Sequence, residues 1–123
     1  MSGNIVGMYD ITVLSKDAAK ATAFYEKLGF RKGHHKAGLT VFPVGNVELA
    51  IHSETLKDEL GPTSATAPGS VSISFIVEDV KPIAEKLKAE GIPFVGPKPI
   101  HAGYSGLATR DPDGNTINFF QKK

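Results

Sequence analysis

Residues 11–30 are written again, in outline, at residues 73–92. Ile11 and Ile73, Thr12 and Ser74, Asp17 and Asp79, Gly29 and Gly91, Phe30 and Ile92 all stand 62 positions apart. Strand, helix cap, helix and stop recurring at one spacing mark an internal duplication. The constraint on the fold is strong. A module of one helix and a few strands covers only one face of its sheet with that helix, so the two modules must pack against a partner.

In the first copy, Ile11 and Val13 alternate over Met8 to Leu14 with the period of a strand. Ser15, Lys16 and Asp17 follow with capping chemistry, and Ala21, Phe24, Tyr25 and Leu28 recur at spacings of three and four. This predicts a helix over about Ala18 to Leu28, with Gly29 as its left-handed stop. Three short strands are predicted next, at Arg31 to Lys36, Leu39 to Val44 and Val47 to His52. Gly38 and the hairpin signal Gly45-Asn46 separate them.

The second copy opens with alternation over Val71 to Val77, a cap at Asp79 and a helix striped by Val80, Ile83 and Leu87. Pro82 is tolerated in the first turn and Gly91 closes the end. Loops are predicted at Gly96 to Pro99 and Ala102 to Gly106, before a strand near Leu107 to Arg110. Asp111-Pro112-Asp113-Gly114-Asn115 is a strong tight-turn signal that launches a last strand, Thr116 to Gln121. Between the copies, Ser53 to Ser70 is polar and rich in Pro, Gly, Ser and Thr, with one helical turn at Leu56 to Leu60, and reads as a linker. The expectation is an α+β fold in one domain, residues 1–123. It is built of two tandem βαβββ modules, about 5–53 and 71–123, that form a curved eight-stranded cup. A single ferredoxin-like domain also begins strand-helix-strand twice, but it leaves a surplus strand after Val44.

A chain of 123 residues holds one sizeable core and not two. Its net charge of +1 provides no field to attract nucleic acid or an anionic membrane. The absence of cysteine removes disulfides, thiolate zinc sites and a cysteine nucleophile, and fits the cytoplasm. The segment MSGNIVGMYD lacks the basic start and apolar core of a secretory signal. No run approaches the roughly 20 apolar residues of a membrane helix.

The motifs FYEKLGF (Phe24 to Phe30) and DPDGNTINFF (Asp111 to Phe120), on a duplicated strand-helix-three-strand pattern, resemble the vicinal oxygen chelate superfamily. Glyoxalase I, extradiol dioxygenases, fosfomycin-resistance enzymes, methylmalonyl-CoA epimerase and bleomycin-resistance proteins belong to it. The resemblance covers almost the whole chain. It implies an eight-stranded cup, commonly completed across a homodimer. In metal-using members one ligand stands on the first strand and one on the last strand of each module. Those positions fall here on Asp10 and Glu48, then on Ser72 and Asn118. The family pattern has His at the first-strand positions and Glu where Asn118 stands, so only Glu48 matches well.

Strand parity places the same residues together without the family. Asp10, Thr12 and Leu14 oppose Ile11 and Val13. Ser72 and Ser74 oppose Ile73 and Phe75, Glu48, Ala50 and His52 share a face, and so do Asn118 and Phe120. Glu48 is the catalytic candidate, and Asp10, Thr12, His52, Ser72, Ser74, Tyr104 and Asn118 are the ligand-binding candidates. Tyr104 is expected in a glycine-flanked loop able to close over the cup, and His52 to complete a polar rim beyond Glu48 or else to stand exposed at a strand end. His34, His35 and His101 have no spacing that makes a site, Phe24 and Tyr25 read as core, and Gly114 and Asn115 as turn residues.

A catalytic divalent metal normally has three or more side-chain ligands. Two carboxylates, a hydroxyl and an amide suit only weakly held Mg²⁺ or Ca²⁺, so no metal ligand is assigned and no cofactor is expected beyond a weak divalent cation. The leading reading is a metal-independent protein that binds a small organic molecule in the cup of a homodimer. The alternative is a metal-assisted lyase, isomerase or dioxygenase with Glu48 as base or ligand, and whether the chain is an enzyme stays open. A third reading is a partner-binding domain whose cup is filled by its own side chains. The absence of tryptophan and of an acidic balance argues against a bleomycin-type cup for a cationic drug.

Overall fold

A computed structural model describes residues 10–55, 71–100 and 103–122, together with 4, 68 and 69. The start of the predicted first strand (Met8, Tyr9), the predicted turn at Leu56 to Leu60, most of the predicted linker, and His101 lie outside the described residues.

The first module runs β1 (Asp10–Ser15), α1 (Ala18–Lys27), β2 (His34–Lys36), β3 (Leu39–Val44) and β4 (Val47–Ser53). The second runs β5 (Ser72–Ile76), α2 (Lys81–Ala89), β6 (Phe94–Pro99), β7 (Tyr104–Arg110) and β8 (Thr116–Lys122). Each module builds its own four-stranded mixed sheet, ordered β1-β4-β3-β2 and β5-β8-β7-β6. The first and last strands pair in parallel and the rest antiparallel. Two separate sheets of one topology exclude the ferredoxin-like alternative, which needs all its strands in a single sheet.

Local chemistry explains the boundaries. Asp17 caps α1 by accepting from the Lys20 amide at 3.1 Å, and Gly29 ends it at φ 105°. The cap of α2 differs in detail from the sequence reading. Val80 holds the cap position, while Asp79 accepts from the Lys81 amide (2.9 Å) and the Gln121 side chain from the Val80 amide (2.8 Å). Strand β2 is shorter than predicted, beginning at His34. Pro43, which has no amide hydrogen to give, lies beyond the last β2 rung, His34 to Val41. The predicted loop at Gly96 to Pro99 is instead part of β6. Its prolines fit because β6 is an edge strand, and the register shift between Val95 and Lys98 absorbs them.

The helix-side faces make one core. Val13, Tyr25, Phe42 and Ile51 of the first module join Ile73, Leu87, Leu107, Ile117 and Phe119 of the second. Phe30 forms the seam, edge-on to Phe75 at 4.9 Å and tilted to Phe119 at 6.4 Å. Polar contacts cross the same seam. The Tyr25 hydroxyl donates to Asp111 at 2.8 Å, the Lys16 amide to Asp113 at 2.9 Å, and Lys27 pairs with Glu90 at 3.3 Å. No helix among the described residues is long and apolar enough to cross a membrane.

Candidate functional site

With Ile11, Val13, Leu49 and Ile51 directed to the helix side, the alternate residues of the first sheet lie on its other face. The register arranges them in rows across the strands. Asp10 pairs with Glu48 and Glu48 with Pro43; Thr12 leads through Ala50 and Val41 to His34; Leu14 leads through His52 and Leu39 to Lys36. Asp10 and Glu48 are therefore direct cross-strand neighbours, Asp10 exposed and Glu48 half-buried. His52 is not the exposed strand end that the sequence suggested. It is 6% exposed, and its Nδ1 is 2.8 Å from the Ser53 carbonyl oxygen. Four residues beyond Glu48 on β4, about 13 Å away, it stands too far along the strand to join the carboxylate pair.

The second sheet repeats the arrangement with different chemistry. Asn118 donates through Nδ2 to the hydroxyls of both Ser72 and Ser74, each at 3.3 Å. These three candidates form one connected amide-hydroxyl array, with both serines exposed. The register corrects one equivalence. Ser72 pairs directly with Thr116, and Asn118 pairs with Ser74, so Thr116 and not Asn118 stands where Glu48 stands opposite Asp10. The acidic pair of the first module has as its counterpart Ser72 and Thr116, continued by Arg110 on β7.

Tyr104 is likewise not in a loop. It begins β7, pairs with Lys122, and lies 6.3 Å from the Phe120 ring on the face that carries Asn118. Parity in the sequence had already set Phe120 beside Asn118, but the sequence reading missed the charged residues that continue these rows, Arg110 on β7, Lys122 on β8 and Lys98 on β6. Alternation carried one residue past Gln121 and back through the preceding hairpin reaches Lys122 and Arg110, whereas Lys98 lies in the segment that read as a loop. A separate cleft of ≈ 180 Å³ at the seam is lined by Leu28, Phe30, Val44, Phe75, Val77 and Phe119 among other apolar residues, and holds no group for chemistry.

The two sequence motifs prove to be bonded to each other. Asp111 is 5% exposed and accepts from the amides of Asp113 and Asn115 (2.9 Å each), from the Asn115 side chain (2.8 Å) and from Tyr25. Asn115 in turn accepts from the Val71 amide at 3.1 Å, which ties the turn to the approach of β5. Burial, first, and then the Asp111 carboxylate hold the Tyr25 phenol above its ordinary pKa.

The donor set can be tested against a metal. Asp10 and Glu48 offer carboxylates, Ser72 and Asn118 a hydroxyl and an amide whose N–H is engaged with serines. His52 is held elsewhere. No three His, Cys, Asp or Glu side chains gather among the described residues of one chain. The set does not fit the imidazole- and carboxylate-rich centres of zinc, nickel or non-haem iron.

Paired βαβββ modules, each with a helix-covered face and a polar face, define a cup-forming class of chain. The chain belongs to the glyoxalase/bleomycin resistance protein/dioxygenase superfamily, whose family model matches residues 8–119. An integron cassette protein from the mobile metagenome of V. cholerae superposes with a TM-score of 0.82 at 22% identity, over 100% of both chains. An antibiotic binding protein from Streptomyces sp. CB03234 gives 0.79 at 25% identity, over 99% of this chain and 100% of that one. Lactoylglutathione lyase from Agrobacterium tumefaciens gives 0.77 at 20%, over 98% and 95%. No curated protein matches the sequence at a significant level.

Proposed function

We propose that this chain is a metal-independent binding protein for a small organic molecule, held in a cup that two copies complete, and that it acts in the cytoplasm. The observation that carries the reading is the amide-hydroxyl array of Ser72, Ser74 and Asn118, which gives the site-facing side of the second sheet uncharged donors and acceptors. Polar, uncharged groups beside an aromatic pair suit orientation of an organic ligand better than they suit ligation of a cation. The similarity to an antibiotic binding protein supports the same reading.

The homodimer rests on which faces are used within one chain. The described hydrogen bonds, ion pair and ring contacts between modules come from helix-side, loop and helix-end residues, leaving the polar faces to a second copy. In the assembled cup, Asp10, Thr12 and Glu48 of one copy face Ser72, Ser74, Tyr104 and Asn118 of the other. Thermal shift and calorimetry against a panel of metabolites and antibiotics test the reading. At least one compound is expected to stabilise the protein by several degrees, and stabilisation by none overturns it.

A second reading is favoured by the direct pairing of Asp10 with Glu48. Adjacent carboxylates can share a proton, so Glu48 would take a proton from carbon next to a carbonyl while Asp10 holds or returns it, as in a lyase or isomerase. Metal analysis of the purified protein, with Glu48→Gln as control, separates the two. Exchange of solvent deuterium into carbon next to the carbonyl of a bound compound, lost in Glu48→Gln, supports this reading, and no such exchange in wild type leaves the carboxylate without a catalytic part.

A further inference from the structure

We infer that the ligand is an organic anion with a flat apolar body, seated on the second sheet with its anionic group between Lys98 and Lys122. This rests on the small-molecule reading above and names the chemistry of that ligand. On the site-facing side of this sheet the charged residues are Lys98, Arg110 and Lys122, and no carboxylate stands there among the described residues. Lys98 pairs with Gly106, Gly106 with Phe120, and Tyr104 with Lys122. The two lysines thus flank the Tyr104–Phe120 step on opposite sides. Their strands, β6 and β8, are two sheet spacings apart, about 10 Å, so two lysine side chains can converge on one group between them.

The floor between them is apolar. Gly106 has no side chain, and Ile100 fills that space, 3.1 Å from where a Cβ would sit, with the Phe120 ring at 3.3 Å. Neither lysine is in an ion pair among the described residues, unlike Lys27 and Lys32. Lys98 also recurs from Lys36 at the same 62-residue spacing, although their neighbours differ: His35 and Ala37 in one copy, Pro97 and Pro99 in the other. Each closes the outer end of a row on its sheet's site-facing side. The opposing wall sets the carboxylates of Asp10 and Glu48 against Lys36 on its outer strand, whereas the charged residues of the second sheet's face are all cations, so the anionic end of a bound molecule is turned to the second sheet.

Two fluorescent probes with one ring system provide the test. Anilinonaphthalene sulfonate carries the anion and N-phenylnaphthylamine lacks it. Both are expected to bind the full chain, the sulfonate more tightly, with an affinity that falls as salt is raised. Lys98→Gln with Lys122→Gln is expected to weaken the sulfonate about ten-fold and leave the neutral amine unchanged, as two partly exposed ion pairs would. Unchanged melting temperature checks that the double variant is folded. Equal affinity of wild type and double variant for the sulfonate overturns the inference while the neutral probe still binds. Failure of both probes to bind overturns the small-molecule reading, and this one with it.

Discussion

Tyr25 and Asp111 are the residues whose chemistry is most tightly specified. Asp111 is buried and takes four donors, one of them from the other module, so removing the tyrosine hydroxyl leaves a buried carboxylate short of a partner. Tyr25→Phe is expected to cost about 1–3 kcal/mol in a urea melt. The Tyr25 pKa is raised in the fold above the ordinary tyrosine value of about 10, near which an unfolded chain titrates. The stability it contributes is therefore complete below about pH 10 and is lost as pH rises past it. The alkaline fall in melting temperature should be shallower in Tyr25→Phe than in wild type. In the sequence Tyr25 read only as a core aromatic on a helix stripe, and Asp111 as a turn residue. Neither pattern contains their contact, because they are far apart in the chain and meet only when the modules pack.

At the scale of elements, the edge strand β6 is the departure from the sequence reading that has most consequence. Gly96 holds φ 99°, and a Cβ there would sit 2.5 Å from the Gly106 carbonyl oxygen. Gly96→Ala is expected to destabilise the chain by about 2 kcal/mol or more and to loosen β6, measured by denaturation and by faster amide exchange on Lys98. Two prolines beside a glycine carry the local signature of a loop. What makes this segment a strand is β7 beside it, a nonlocal partner that a window of sequence cannot supply. The same holds for Tyr104, drawn into β7 by pairing with Lys122. The helices and the hairpin at Gly45-Asn46, set by short-range caps and turns, were legible within a residue or so.

For the whole molecule, Phe30 is where two modules become one core. It touches Tyr25 and Phe42 in its own module and Phe75 and Phe119 in the other. Phe30→Ala is expected to cost about 3 kcal/mol while unfolding stays a single transition, since the core is continuous. Sedimentation should find a dimer if the polar faces meet across copies, and a monomer at micromolar concentration would remove the shared cup. By itself the sequence determined the duplication, the strand-helix-strand order and the polar face of each sheet, because these follow from periodicities of two and 3.6 and from local caps. Only the tertiary structure decided the register that sets Asp10 against Glu48 but Ser72 against Thr116, the burial of His52, and the bond between the two motifs. Register and burial depend on which distant strands pair and what lies over them, and the two copies, alike in pattern, settle there into different chemistry.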